Sequence, residues 1–384
     1  MTMVQHLATA QRSFGIEEEV MLLDPDTLAP VDVAQEVIAE LGAVAEDGAT
    51  DAADGIGAGD ASIGWIGHEF LRAQVEFSSP VLADGAAASR VVGAFRSALA
   101  GAADRRGLVA ASIGAPIGAG SSRVAEGDRY ARFCDELGAI AADHRIMGLH
   151  VHVGVASRDE GVVAMRGLRP WLAPLLALTA NSPCFAGRDT GFASWRTIVG
   201  RRFTTASVPP DFADAADYDR RIRALVGLGT TLDLGSLAWM MRLAERYPTL
   251  ELRLFDAQLR GGEAVAAALL SRALVEAAAT GALPHVPAAA RPELVDAAVW
   301  HAARHGLDDG LLHPETGELA PAWAVVERML AHAAPALEAS GDRALVDDAV
   351  ARIRVEGTGA ERQRTALAEG DGALRRLLRA SFVD

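Results

Sequence analysis

Hydrophobic and polar residues alternate in four short stretches of the chain, and a period of two marks a strand with one buried face. The stretches are Phe14–Leu23 (FGIEEEVMLL), Arg72–Ser78 (RAQVEFS), Gly148–Val155 (GLHVHVGV) and Leu250–Gln258 (LELRLFDAQ). Longer segments carry apolar residues every three or four positions. They predict helices over Val31–Val44, Gly85–Ala103, Asp128–Met147, Leu168–Ala180, Asp211–Leu228, Gly235–Arg246 and Glu263–Thr280. From about residue 262 onward the chain is rich in Ala, Arg and Glu and reads as nearly all helix. The Gly- and Asp-rich stretches Glu46–Gly67 and Ile113–Gly127 read as long loops, which in compact domains are often binding loops or lids. The strands run from residue 14 to 258, so the pattern predicts one α+β domain with the helical C-terminal part packed on it.

Alternate residues of a strand share a face, about 6.5–7 Å apart. Glu17 and Glu19 therefore share one face of the first strand, opposite Phe14, Ile16, Val20 and Leu22. Glu18 falls on the apolar side and is expected to be structural. In the second strand Gln74, Glu76 and Ser78 oppose Val75 and Phe77; in the third, His150 and His152 oppose Leu149, Val151 and Val153. In the fourth, Glu251 and Arg253 oppose Leu250, Leu252 and Leu254. One such strand is an ordinary sheet with a solvated side. Four together, if neighbours, bring Glu17, Glu19, Glu76 and Glu251 onto one face with His150, His152 and Arg253. Crowded carboxylates raise one another's pKa unless cations neutralise them. Oxygen-rich ligand sets select Mg²⁺ or Mn²⁺, and Mg²⁺ commonly arrives with substrate phosphates. The pattern thus predicts a metal–nucleotide site on an open sheet face, with arginine as the phosphate clamp.

Composition narrows the chemistry. The 384 residues are 50% hydrophobic and 23% charged, enough apolar material for a large core. The net charge of −15 argues against a nucleic-acid binder or a polybasic membrane-surface protein. All 36 basic residues are arginine. This excludes a P-loop lysine, a Schiff-base lysine and a carboxylated-lysine metal bridge. Two cysteines, Cys134 and Cys184, make no disulfide framework and fit a reducing compartment. No uninterrupted apolar stretch is long enough to span a bilayer, and the first residues lack a secretory apolar core. A soluble, cytoplasmic protein is expected.

The motifs FGIEEEV, VEFSSP, GLHVHVGV, ANSPCFAGRDTGFASWR and LELRLFDAQ, in this order, resemble the glutamate–cysteine ligase type 2 family of carboxylate–amine ligases. The resemblance covers residues 13–260 and leaves the helical part, 261–384, without a role; the whole, 1–384, is expected to be a single ligase domain. It implies a glutamine-synthetase-like fold, a curved and mainly antiparallel sheet with helices on one face. It also implies an ATP- and Mg²⁺-dependent enzyme in which a carboxylate forms an acyl phosphate and an amine then displaces phosphate. Glutamate and cysteine are the family's named pair, another amine is possible, and a homo-oligomer is plausible. By the same resemblance, Glu17, Glu19, Glu76, His150 and Glu251 would be metal ligands, with His152 a weaker candidate on the same face. Arg253 would stabilise the transferring phosphoryl group beside Glu251. Asn181, Ser182, Arg188 and Arg196 would bind nucleotide or acid substrate. Asp233 and Asp256 read as cap or turn residues. The Gly55–Gly59 and Gly114–Ser122 stretches read as loops, because neither sits between a strand and a helix.

Two other enzyme classes fit parts of this pattern. A metal-dependent amidohydrolase presents HxH on a strand, but its site usually adds more His and Asp and often a carboxylated lysine. A guanidino-type kinase shares the broad fold and would phosphorylate its substrate without forming an amide.

Overall fold

The structure, a computed structural model, describes residues 11–41, 64–284 and 291–384. Its centre is a seven-stranded sheet of β1 (Phe14–Leu23), β2 (Trp65–His68), β3 (Gln74–Ser78), β4 (Val109–Ala111), β5 (Gly148–Gly154), β6 (Met241–Leu243) and β7 (Thr249–Asp256). The order is β2-β3-β1-β5-β7-β6, and β4 pairs with the end of β1 beyond the reach of β5. Every pairing is antiparallel. The architecture is the expected α+β sheet, and the four alternating stretches form β1, β3, β5 and β7, its continuous middle.

Alternation separates the two faces of this sheet. Ile16, Val20 and Leu22 of β1, Val75 and Phe77 of β3, and Leu149, Val151 and Val153 of β5 are buried against helices. The Gly85–Arg105 helix supplies Ala88, Val92, Phe95 and Leu99, spaced three or four apart on one stripe, and the Phe77 and Phe95 rings stack at 4.4 Å. The Gly261–Ala279 helix is apolar all round, with sixteen of its nineteen residues buried. Such a helix needs cover on every side. It lies against β1 and β5, and the Ala322–Ser340 and Arg343–Glu356 helices pack on it as well. The C-terminal helices therefore complete the core behind the sheet.

Glu18 is the exception on this apolar face. It is fully buried and paired with Arg96 of the Gly85–Arg105 helix, Arg96 Nε donating to Oε2 at 3.0 Å and Arg96 Nη2 to Oε1. Ser112 Oγ donates to the same carboxylate at 2.6 Å. Arg96 also donates to the carbonyls of Gln258 and Leu259, just past β7. The pair thus ties β1, one helix and the end of β7 together, as the position of Glu18 on the apolar side suggests.

The structure differs from the sequence expectations at several elements. Gly235–Arg246 is not a helix: Asp233 caps a single 3-10 turn at Leu234–Ser236, and β6 follows. Met241 and Leu243 point into the core and Arg242 away from it, so pairing with β7 overrides local helix preference. The expected Asp128–Met147 helix breaks at Gly138, whose φ of +53° suits glycine, into Asp128–Leu137 and Ala139–Ala142. In the expected Leu168–Ala180 helix, Arg169–Trp171 form a 3-10 turn around Pro170 before the helix Leu172–Leu178. Asp211–Leu228 begins its helix only at Ala215, where Asp214 caps it. The Val31–Val44 helix is seen over Ala34–Glu40; residues 42–44, the Gly55–Gly59 stretch and most of the Glu46–Gly67 loop lie outside the described residues, while Trp65–His68 is strand. The helical C-terminal part contains a hairpin, Gly310–Leu312 with Leu319–Pro321. No helix among the described residues is long and apolar enough to cross a membrane.

A β-bulge also breaks the alternation of β7. Leu149 pairs with Phe255 and Val151 with Leu252, so Arg253 and Leu254 together face His150. Leu254 and Phe255 both join Leu250 and Leu252 in the core, and Leu254 also borders the cavity.

The Glu18–Arg96 pair yields a stability prediction. Removing one partner of a buried pair leaves the other uncompensated, at about 3–5 kcal/mol. Glu18→Gln is expected to lower the urea unfolding midpoint accordingly, whereas Glu18→Leu with Arg96→Met should cost less than the two single changes summed.

Candidate active site

The face of the sheet away from the helices forms the floor of a cavity of about 230 Å³. Strand register places its charged groups. Glu19 stands directly opposite Glu76, Glu17 opposite His150, His152 opposite Glu251, and Glu251 opposite Arg242. The expected residues Glu17, Glu19, Glu76, His150, His152, Glu251 and Arg253 are therefore brought together on one face. Arg129, Tyr130 and Phe133 of the Asp128–Leu137 helix, with Arg196 of the Trp195–Gly200 helix, contribute to the walls.

Some of this charge is compensated inside the protein. Arg242 grips Glu251 with two bonds, Nε to Oε2 at 2.6 Å and Nη2 to Oε1 at 3.2 Å, and Arg253 Nη1 donates to Oε1. Arg242 is itself held by the carbonyls of Gly235 and Leu237 at 2.5 and 3.0 Å. Burial alone would push Glu251 up, but Arg253 and Arg242 hold it well below the usual carboxylate range. Glu17 Oε2 lies 3.2 Å from His150 Nδ1, and Glu17 Oε1 lies 3.3 Å from His152 Nε2. Against the burial penalty, His152 and His150 hold Glu17 well below its ordinary value. His152 is raised in turn by Glu17 despite burial, and its Nδ1 meets Thr249 Oγ1 at 3.0 Å. Burial, with Arg253 nearby, pushes His150 down to about 4, so its ring is neutral at pH 7.

In the other half of the floor, burial outweighs the neighbouring arginines. Glu19 accepts one bond from the Gly148 N–H at 2.7 Å. Burial and then Glu69 push its carboxyl up to about 7. Burial raises Glu76 well above the carboxylate range, with Glu69, Glu17 and Glu19 adding to it. Glu69, in the turn between β2 and β3, is raised by burial as well. These raised carboxyls favour their protonated forms, and a bound cation would let them ionise. One ligand atom each from Glu17, His152 and Glu251 lies within 4.8 Å of the others. The oxygen-rich donor set fits a hard divalent cation.

The expected nucleotide- or acid-binding residues divide by position. Arg196 reaches the cavity, its Nη1 and Nη2 donating to the carbonyls of Leu254 and Arg253 at 3.3 and 3.1 Å. Its buried Nε has no hydrogen-bond partner. Gly148 makes room for it, because a Cβ there would sit 2.5 Å from Arg196 Nη2. Asn181 and Ser182 do not line the cavity. Both are buried around Asp256, whose Oδ2 accepts from Asn181 N and Ser182 Oγ at 2.8 and 2.7 Å and whose Oδ1 accepts from Ser194 Oγ at 2.8 Å. Asp256 is thus the hub of a buried network rather than a cap. Ser182 Oγ accepts from Arg196 N at 3.0 Å, so this network positions Arg196. Arg188 lies on the surface in the hairpin Cys184–Phe185 with Arg188–Asp189.

Two site groups escaped the sequence reading. Arg242 sits in a strand of three residues, too short for a period of two to emerge. Glu69 follows His68 in a turn, and no periodicity points to it.

The model of the glutamate–cysteine ligase family 2 matches residues 13–380. A protein of Salinispora arenicola provisionally named glutamate–cysteine ligase 2 is 39% identical over 362 residues, covering 93% of this chain and 91% of that protein. One of Frankia alni, provisionally named glutamate–cysteine ligase 2-2, is 40% identical over 360 residues, covering 93% of each. Two solved structures share the fold. The bifunctional glutathione synthetase of Pasteurella multocida superposes with a TM-score of 0.67 at 16% identity, over 98% of this chain and 53% of that one. The glutamate–cysteine ligase of Francisella tularensis, solved in complex with AMP, gives 0.65 at 11% identity, over 98% and 90%.

The uncompensated carboxyls predict proton-coupled metal uptake. A raised carboxyl still holds its proton near neutrality, and a bound cation displaces it. Calorimetric titration of the metal-free protein with Mg²⁺ or Mn²⁺ in two buffers of different ionisation enthalpy is expected to show proton release at pH 7. Affinity should rise between about pH 6 and 8, around the Glu19 value. Metal binding with no proton release would contradict Glu19 and Glu76 as ligands.

Proposed function

The chain belongs to glutamate–cysteine ligase family 2, and on that premise we propose that it is an ATP- and Mg²⁺-dependent carboxylate–amine ligase working through an acyl phosphate. Glutamate is the proposed acid, and cysteine or another small amine the acceptor. The observation that carries this reading is the desolvated acidic sheet face set against Arg242, Arg253 and Arg196.

In the first step a carboxylate oxygen of the acid attacks the γ-phosphorus of ATP, and the bond to the β-phosphate oxygen breaks to release ADP. In the second, the amine nitrogen attacks the acyl carbon. The carbon–oxygen bond to phosphate breaks, phosphate leaves, and the nitrogen loses its proton. Mg²⁺ held by Glu17, Glu19, Glu76, His150, His152 and Glu251 would supply charge neutralisation at the phosphates. The chain's own groups supply orientation. Glu251 fixes one arm of Arg253, which leaves the rest of the guanidinium facing the cavity for phosphoryl oxygens. Arg196 offers its free Nε to a second anionic group, and the Asp256 network sets its direction. An acyl phosphate must be kept from water. Phe70, Phe133 and Phe203 give the cavity apolar walls that serve this end.

The first test is ADP release with Mg²⁺-ATP and glutamate, with and without cysteine, followed by other amines and acids, with products identified by mass spectrometry. Amine-dependent release matched by an amide supports the ligase reading. A stable phosphorylated substrate without an amide would make the protein a kinase and overturn it. Glu251→Gln and Glu17→Gln are each expected to lower turnover by at least ~10² with the fold intact by circular dichroism. Arg253→Lys should fail similarly, because a point charge does not replace a bidentate fork.

A further inference from the structure

A second group of metal-type donors lies outside the cavity, where the helix Pro292–His305 ends. His301 and His305 are one turn apart on that helix, so their rings share a face. Their centroids are 4.5 Å apart. Gly306, with φ at +59°, ends the helix, and the chain folds back so that the Asp308 N–H donates to the His305 carbonyl at 3.1 Å. Asp309 follows. Its Oδ1 accepts from the Gly310 N–H at 2.7 Å, which orients the carboxylate. Its Oδ2 lies 3.7 Å from His301 Nε2 and 4.0 Å from His305 Nδ1. His301 Nε2 is buried and has no hydrogen-bond partner. Arg304, the nearest cation along the helix, is turned over the Phe192 ring at 5.2 Å.

We propose that His301, His305 and Asp309 form a second metal site, independent of the sheet site, that takes a transition-metal dication of the zinc class. Two imidazoles and one carboxylate suit Zn²⁺, Co²⁺ or Ni²⁺ rather than Mg²⁺, which favours all-oxygen sets. Ligand atoms around a tetrahedral Zn²⁺ stand about 3.3 Å apart, so the two histidine–carboxylate distances need to close by only about half an ångström. The partial negative charge of the helix C-terminus favours a cation there. The Asp309–Gly310 bond supplies the outer support that ligating carboxylates usually have. The remaining coordination positions are left to water. The site's structural effect is to fasten the end of a helix whose Ala303 and Arg304 carbonyls hold Ser194 and Ala193, next to the Asp256 network.

The test titrates the full chain with Zn²⁺, and with Co²⁺ as a spectroscopic probe, under a large excess of Mg²⁺. The background is Glu251→Gln, which removes one donor of the sheet site. One equivalent is expected to bind, with cobalt absorption bands of nitrogen–oxygen ligation and a rise in Tm. Adding His305→Ala or His301→Ala should abolish both signals. Asp309→Asn, the mildest change and the one used if a histidine variant does not fold, should weaken binding by at least ~10-fold, the lower end of what loss of even an outer-shell partner costs. No equivalent in the Glu251→Gln protein, or an equivalent that survives these substitutions with unchanged affinity, overturns the proposal.

Discussion

Repulsion among carboxylates on one desolvated sheet face is the constraint around which the rest of the molecule is arranged. Glu19 and Glu76 face each other directly across two strands, a pairing that costs stability in an ordinary sheet. Histidines and arginines hold Glu17 and Glu251 ionised, whereas at Glu19 and Glu69 the burial penalty outweighs the nearby arginines, and Glu76 is raised further by its carboxylate neighbours. A flexible scaffold would relax by letting the strands separate. Here the opposite face is packed against close-fitting helices, and the buried Glu18–Arg96 pair crosses that packing. Rigidity on one side keeps the charges together on the other.

Much of this was legible in the sequence, because a strand's period assigns faces without knowledge of the fold. FGIEEEV separates Glu17 and Glu19 from Glu18 by parity, and the structure places Glu18 in the core, Glu19 in the cavity lining and Glu17 beside His150 and His152 on the same face. The same rule brought His150, His152, Glu76, Glu251 and Arg253 to one face. The rule failed where regularity fails. The bulge at Arg253–Leu254 interrupts the alternation, so that Leu254 and Phe255 are consecutive core residues. β6 is too short to show a period, so Arg242 was hidden in an apparent helix. Asn181 and Ser182 stand in a recognisable motif, but side-chain direction in a coil cannot be read from spacing, and both turn inward to Asp256.

The C-terminal helices reach this inner network too. Gln363 Nε2 donates to Asn181 Oδ1 at 2.6 Å and to its carbonyl at 2.9 Å. Gly359 passes so close that a Cβ would lie 2.0 Å from Asn181 Oδ1. From Gln363 the contacts run through Asn181 and Asp256 to Ser182 and Arg196. The part of the chain with no motif of its own thereby bears on the direction of a cavity guanidinium.

Arg196, Arg242 and Arg253 are all partly buried on the charged side of the sheet. An ammonium group in such places would tend to lose its proton, whereas a guanidinium keeps it. The same exclusive use of arginine holds across all 384 residues. Acylating labels, aldehyde fixatives and isopeptide-forming conjugation systems that act on ε-amino groups find no side chain here to react with. To amine-directed chemistry the side chains of this protein are inert, and mapping its surface calls for reagents that act on guanidinium, carboxylate or thiol.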